Sequence, residues 1–255
     1  MPTKAELAKR RKQSRERFLR ARKAGKVYER QLRQVAKHVG HIVEGMAPRG
    51  VVKNIPELKT ALERYAELLT PWAKSVSARM VAEVDQRDAQ AWKRMAEEIG
   101  QGIKAEIKSG AIGADMKARM QEQVDLITSL PRKAAERVHK LTIEALADGT
   151  RAREVAKEIL RTGEVTESRA MLIARTEVAR TAATLTQARA ESVGSEGYIW
   201  RTSGDSDVRD LHKKLEGKYI PWAQPPIAGE NGERAHAGCI YNCRCWAEPI
   251  LPDRV

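Results

Sequence analysis

The chain has 255 residues, 42% of them apolar, which is enough for one large core or two modest ones and excludes a compositionally disordered chain. Its net charge of +13 is concentrated: residues 1–40 hold 14 Lys and Arg against three Glu, so the basicity belongs to one segment, and a segment this positive points to a polyanionic partner, nucleic acid first. No stretch approaches the ~20 apolar residues of a membrane span, and the N-terminus lacks the apolar core of a signal peptide, so synthesis in the cytoplasm and no membrane partner are expected.

Aromatic residues are scarce and Ala, Lys, Arg and Glu abundant, a balance that favours helices because these side chains lose little rotamer freedom there. Residues 4–46 read as one long helix. Its second half carries Tyr28, Leu32, Val35, Val39, Ile42 and Met46 at alternating spacings of four and three, an apolar seam of the coiled-coil type. Its first half lacks a seam and is dominated by the run KRRKQSRERFLRARK. Residues 1–26 are therefore predicted to be a basic arm that orders on contact with a partner. Lys9, Arg10, Arg11, Lys12, Arg15, Arg17, Arg20, Arg22 and Lys23 are its candidate nucleic-acid-binding residues. The alternative reading of the same run is a solvated basic helix.

The segment APRGVVKNIPEL breaks the pattern, and Asn54 before Ile55-Pro56 marks a new helix start. Leu58, Leu62, Tyr65, Leu69, Trp72 and Val76 form the next seam, within which Pro71 should kink or split the helix. The pattern continues through Met80, Val84, Trp92, Met95, Ile99, Ile103 and Ile107 to a loop at KSGAIGAD. Two helices near 114–129 and 131–147, parted by Pro131, are predicted next, then 151–161 and 166–193 with Thr166 as a possible cap. After Gly194 the character changes: Gly, Pro, Trp, Tyr and all three Cys concentrate in the last sixty residues. EGYIWRTS, EGKYIPW and RCWAEPIL are the candidate strands, and WAQPPIAGENGERAHAGC is a long loop that needs something to hold it down.

That something is sought among His212, His236, Cys239, Cys243 and Cys245. An odd, clustered set of Cys points away from a disulfide framework. Thiolate and imidazole together suit zinc, which takes four such ligands tetrahedrally. His212, Cys239, Cys243 and Cys245 are the expected ligands, with His236 as the alternative; buried, unliganded thiols are the competing reading. The segment DSDVRDLHKKLEG brings Asp205, Asp207, Arg209, Asp210 and His212 close in sequence, which reads either as an acid–base group or as scaffolding in which Arg209 pairs with a carboxylate and Gly217 makes a turn. No P-loop, no Gly-x-Gly-x-x-Gly and no Ser-His-Asp order occurs, so no catalytic residue is assigned. The five Trp are scattered and read as core or surface anchors.

The last third of the chain resembles the Mu F-like phage head-morphogenesis family. The matching pieces are IARTEVARTAATLTQARA (173–190), IWRTSGDSDVRDLH (199–212), LEG (215–217) and HAGCIYNCRC (236–245). Each is weak alone; their order makes the likeness specific. The closing motif commonly begins Pro-Gly in the family, and here it reads Ala237-Gly238. The resemblance implies Arg175, Thr176, Glu177, Trp200, Asp207, Arg209, Gly217 and Arg244 as motif residues, beside His212, Cys243 and Cys245. It also implies a minor head protein incorporated into the virion near portal and DNA, with portal, major capsid or scaffolding proteins and packaged DNA as partners. The predicted fold is mainly α: an elongated helical N-terminal body with a small α+β C-terminal module. The expected segments are the arm (1–26), a helical body (27–165) and the Mu F-like domain (166–255). The rival readings are a metal-dependent nuclease or ADP-ribosyl-type toxin-like enzyme, and a free DNA-binding regulator.

Overall fold

The computed structural model describes residues 4–46, 54–99, 110–148 and 152–252. Five helices come first: α1 (Lys4–Gly45), α2 (Ile55–Ile99), α3 (Gly110–Asp148), α4 (Ala152–Leu160) and α5 (Thr162–Ser192). Strand β1 (Gly197–Thr202), the short helix α6 (Asp210–Lys213), β2 (Tyr219–Pro221) and β3 (Cys245–Ile250) follow. The fold is thus mainly α with a small α+β module at its C-terminal end, as expected. The Ile103 and Ile107 of the predicted seam lie outside the described residues.

Neither Pro71 nor Pro131 splits its helix. Pro71 lies inside α2 and Pro131 inside α3, so residues predicted as two helices around Pro131 form one. A helical proline removes one hydrogen bond and crowds the carbonyl four residues back, at about 3 kcal/mol. Pro71 and Glu67 are both exposed, so the freed carbonyl meets water while Leu62, Ala66, Leu69 and Ala73 stay buried on the opposite side. Around Pro131, Ile127, Leu130, Ala134 and Ala135 are all buried, and their packing outweighs the lost bond. Asn54 does start α2, its side chain accepting the Glu57 N–H at 3.1 Å. Thr166 is not a cap: α5 begins four residues earlier, and the Thr166 hydroxyl donates back to the Thr162 carbonyl at 2.6 Å.

The chain divides into two compact units. One comprises residues 26–78 and 120–174. Its core is Val39, Val43, Leu58, Leu62, Ala134, Ala135, Val138 and Ile159, so the seam read from 28–46 is core in this unit. The other comprises residues 1–25, 79–119 and 175–255. Its core gathers Trp92 from α2 with Tyr198, Trp200, Trp222, Cys243, Cys245 and Ala247.

In the second of these, the sheet has the order β2-β1-β3 and is antiparallel throughout. Tyr198 and Trp200 of the central strand are both fully buried, the alternation expected of a one-sided sheet. Gly197 opens the strand because nothing larger fits: a Cβ there would lie 2.5 Å from the Ile220 carbonyl and 2.7 Å from the Tyr219 ring. Residues 4–25 are also built into this unit, which differs from a detached arm. Phe18, the single Phe, stacks on Trp246 at 4.9 Å, and the Trp246 indole donates to Ser14 Oγ at 2.9 Å. The basic run therefore has one face that packs and one that does not, a distinction its charge concealed.

Candidate metal centre

The site is built on the two ends of the C-terminal module. Helix α6 presents His212, 1% exposed, beneath the edge of Trp200, with ring centroids 5.4 Å apart at 67°. The start of β3 presents Cys245, also 1% exposed, and the turn before it presents Cys243. The register Thr202↔Cys245 ties that corner to β1. Cys245 Sγ lies 3.3 Å and Cys243 Sγ 3.7 Å from His212 Nδ1, and the three ligand atoms all fall within 4.8 Å of one another. Ligands of one tetrahedral zinc would stand about 3.6 Å apart, given bond lengths of about 2.3 Å to sulfur and 2.05 Å to nitrogen.

His212 is oriented for such a role. Its other nitrogen, Nε2, lies 2.9 Å from the Ala228 carbonyl, to which it donates, which turns Nδ1, the atom that would ligate a metal, toward the sulfurs. The same carbonyl contact ties down the long loop between β2 and β3. The hydrogen bond with Cys243 raises the His212 pKa against the opposing effect of burial. Cys243 is the thiol of the pair that ionises readily, chiefly because its thiolate accepts a hydrogen bond from Cys245 and then from His212. Cys245 is shifted upward by the same contact and by burial.

The other two candidate ligands are placed elsewhere. Cys239 is not in the three-residue group, and burial pushes its thiol up to about 11. His236 is engaged on both nitrogens: Nε2 donates to the Trp222 carbonyl at 3.0 Å, and Nδ1 faces the Tyr198 hydroxyl at 3.2 Å. Burial lowers its pKa, so this ring is held neutral and does structural duty.

The motif residues form the frame around the corner. Thr176 and Glu177 are buried in α5 while Arg175 is exposed. Thr176 Oγ1 accepts the Asn242 N–H at 3.0 Å, at the one non-glycine residue with positive φ among those described. Glu177 pairs with Arg180 at 3.2 Å, and Arg180 Nε donates to the Cys239 carbonyl at 3.1 Å. Arg209 donates to the Tyr241 carbonyl at 2.9 Å rather than to a carboxylate as expected. Arg244 takes the carboxylates instead, Asp205 at 2.7 Å and Asp207 at 2.8 Å. Loop 239–242 is thus held at three carbonyl or amide positions, those of Cys239, Tyr241 and Asn242, which fixes where Cys243 begins. Gly217 makes its predicted turn at φ +78, its N–H donating to the Trp200 carbonyl. The departure at Ala237 has a use: its N–H donates to Tyr198 Oη at 3.1 Å, a bond proline could not make. Gly238 keeps the positive φ of 92° and lies against Ala183 of α5.

Sequence reasoning missed a buried polar cluster in the same unit. Arg189 of α5, 3% exposed, pairs with both Asp85 and Asp88 of α2, and Thr186 donates to Asp88 at 3.0 Å. These partners lie about a hundred residues apart in the chain, and no local spacing marks them.

Of the nine basic candidates, Lys9, Arg11, Lys12, Arg15 and Lys23 are exposed and Arg10, Arg17 and Arg20 half-buried; the side chain of Arg22 lies outside the described residues. Arg17 sits over the Trp92 ring, 5.3 Å from its centroid. No helix among the described residues is long and apolar enough to cross a membrane.

Residues 136–248 match the family described as Phage Mu protein F like protein. The chain is also 30% identical over 199 residues to an uncharacterised protein of Haemophilus influenzae (strain ATCC 51907 / DSM 11121 / KW20 / Rd), an alignment covering 77% of this chain and 43% of that protein. The chain therefore spans less than half the length of the curated relative it matches. No solved structure matches it. The family match contains the Arg-Thr-Glu helix, His212 and the Cys-Arg-Cys corner alike, so residues 136–248 are similar to the Mu F-like phage family across the whole of the candidate site.

Proposed function

We propose that this chain is a minor head protein that takes part in phage head morphogenesis, made in the host cytoplasm and built into the virion. The observation that carries the reading is the Mu F-like match over residues 136–248, inside which the His and Cys side chains meet at one point. The work is assembly by binding. The helical part contacts portal, major capsid or scaffolding proteins, the basic N-terminal segment faces packaged DNA, and the C-terminal module is the specific folding and docking unit.

In this reading the module holds one zinc ion through His212, Cys243 and Cys245, the three side chains that converge. Zinc would act there as a cross-link, binding α6 to the start of β3 in a region rich in loop and short of core. Arg175, Thr176, Glu177, Trp200, Asp207, Arg209, Gly217 and Arg244 act as structural residues around that point.

Sedimentation of particles from an induced lysate tests the role. The protein is expected to run with heads and to persist in full particles; recovery only in the free fraction, with capsid and portal proteins in particles, would remove it. Metal-dependent cutting of DNA by the purified protein, lost in Asp207→Asn without loss of fold, would turn the reading toward a nuclease.

A further inference from the structure

A groove between α1 and the end of α2 carries a charge pattern that the basic run alone did not reveal. It has a volume of about 340 Å³ and is lined by Lys9, Lys12, Glu16, Arg17 and Arg20 of α1 and by Arg94 of α2. Five of the eight described lining residues are cationic, and the one carboxylate among them, Glu16, is paired with Arg20 at 3.5 Å. Lys9, Lys12, Glu16 and Arg20 fall at steps of three and four residues, which aligns them along one side of the helix. At 1.5 Å per residue, Lys9 to Arg20 spans about 16 Å, the axial length of about five nucleotides of one DNA strand at 3.4 Å each. The Nη1 atom of Arg17 is buried without a hydrogen-bond partner. Among the described residues no aromatic side chain lines the groove, so it offers charge and hydrogen-bond donors but no platform for stacking bases.

We infer that this groove is the seat of the DNA contact, a site for consecutive backbone phosphates of duplex DNA, with Arg94 of α2 as a phosphate ligand. The inference rests on the nucleic-acid part of the reading above and locates it. Arg11 and Arg15, equally prominent in the sequence, lie on the opposite side of α1 and are outside the site, as is Lys4. The guanidinium forks of Arg17 and Arg94 suit phosphate oxygens, and the missing stacking platform means that binding ignores sequence.

The test uses the full chain and a fluorescently labelled random-sequence duplex of about twenty base pairs, with anisotropy measured across a salt series. A Lys9→Ala/Lys12→Ala/Arg94→Ala variant is compared with Lys4→Ala/Arg11→Ala/Arg15→Ala, which removes the same charge from the other side of α1. All six side chains are exposed, so both variants should fold, which circular dichroism checks. The groove variant should reduce the log–log salt slope by about 2.7, at about 0.9 per lost phosphate contact. The control should change it by less than about one. Lys12→Glu alone should weaken binding more than Arg15→Glu. Equal losses in the two triple variants would overturn the groove while leaving DNA binding by the segment in place. Absence of duplex binding by the wild type would overturn both, without touching the head-assembly role, which sedimentation reads. Polyglutamate displacing the duplex at matched charge concentration would overturn the phosphate assignment.

Discussion

Replacing Cys245 by Ser separates the zinc reading from ordinary core packing. Cys245 is 1% exposed and sits in the β1–β3 register opposite Thr202, so the replacement is near-isosteric and leaves the strand pairing in place. The serine hydroxyl has a ready partner in His212 Nδ1, 3.3 Å from the present sulfur, so its burial is compensated. Zinc-free Cys245→Ser is therefore expected within about 1 kcal/mol of zinc-free wild type. With zinc the two should part. A ligand at a thousandfold excess over its dissociation constant stabilises the folded state by about 4 kcal/mol. For a chain of this size that is about 8–16 °C in Tm. The assay is thermal unfolding of both proteins with excess zinc and with chelator, alongside elemental analysis of wild type purified without chelator. Wild type should contain close to one zinc per chain and lose that increment in chelator, and the variant should show no increment. Identical melting of wild type in zinc and chelator, or an undiminished zinc increment in Cys245→Ser, would refute the reasoning.

Thr176→Val keeps the shape of a buried helix residue but removes the acceptor for Asn242 N–H; it should cost about 1 kcal/mol and weaken zinc retention by about tenfold, measured by competition with a chromophoric chelator. Arg189→Met leaves Asp85 and Asp88 facing each other without their cation and should destabilise by about 3–5 kcal/mol in urea unfolding, with Asp88→Asn in the same chain restoring part of the loss. His236 is held neutral by burial, with a pKa lowered from 6.5. The unfolded chain takes up a proton there first, so this contribution to stability is complete above about pH 6.5 and is lost as pH falls from that value toward the lower folded one. Unfolding of zinc-free protein from about pH 7 to about pH 5 should show that slope, and His236→Gln should flatten it; an unchanged slope in the variant would count against the assigned environment.

Local pattern made much of this molecule legible. The four-and-three seam at 28–46 and its continuation from Leu58 are core, and all three strands fall where aromatic and β-branched runs place them, because each of these signals is local to a short window of the chain. The convergence of His212 with Cys243 and Cys245 was legible through chemistry, since few residue types hold a loop-rich segment together. Proline as a helix divider misled for the opposite reason. Pro71 and Pro131 carry a local penalty, and whether it breaks a helix depends on burial supplied by residues far along the chain. The basic run misled in the same way. Its charge said arm, while Ser14 and Phe18 within it answer to Trp246, more than two hundred residues later.

Composition and spacing by themselves determined the helical class, the position of the C-terminal module, the concentration of charge at the start and the set of side chains from which a metal site is drawn. Tertiary structure decided which members of that set meet: His212, Cys243 and Cys245 do, while His236 joins Tyr198 and Trp222, and Cys239 is not in the group. It also decided that Arg189 of α5 pairs with Asp85 and Asp88 of α2, and that Arg94 of α2 completes a groove begun by Lys9 of α1. The reason is common to all of these. A hydrogen bond or a ligand set depends on distances of a few ångströms between atoms, and only the packing of whole elements fixes such distances across long stretches of chain.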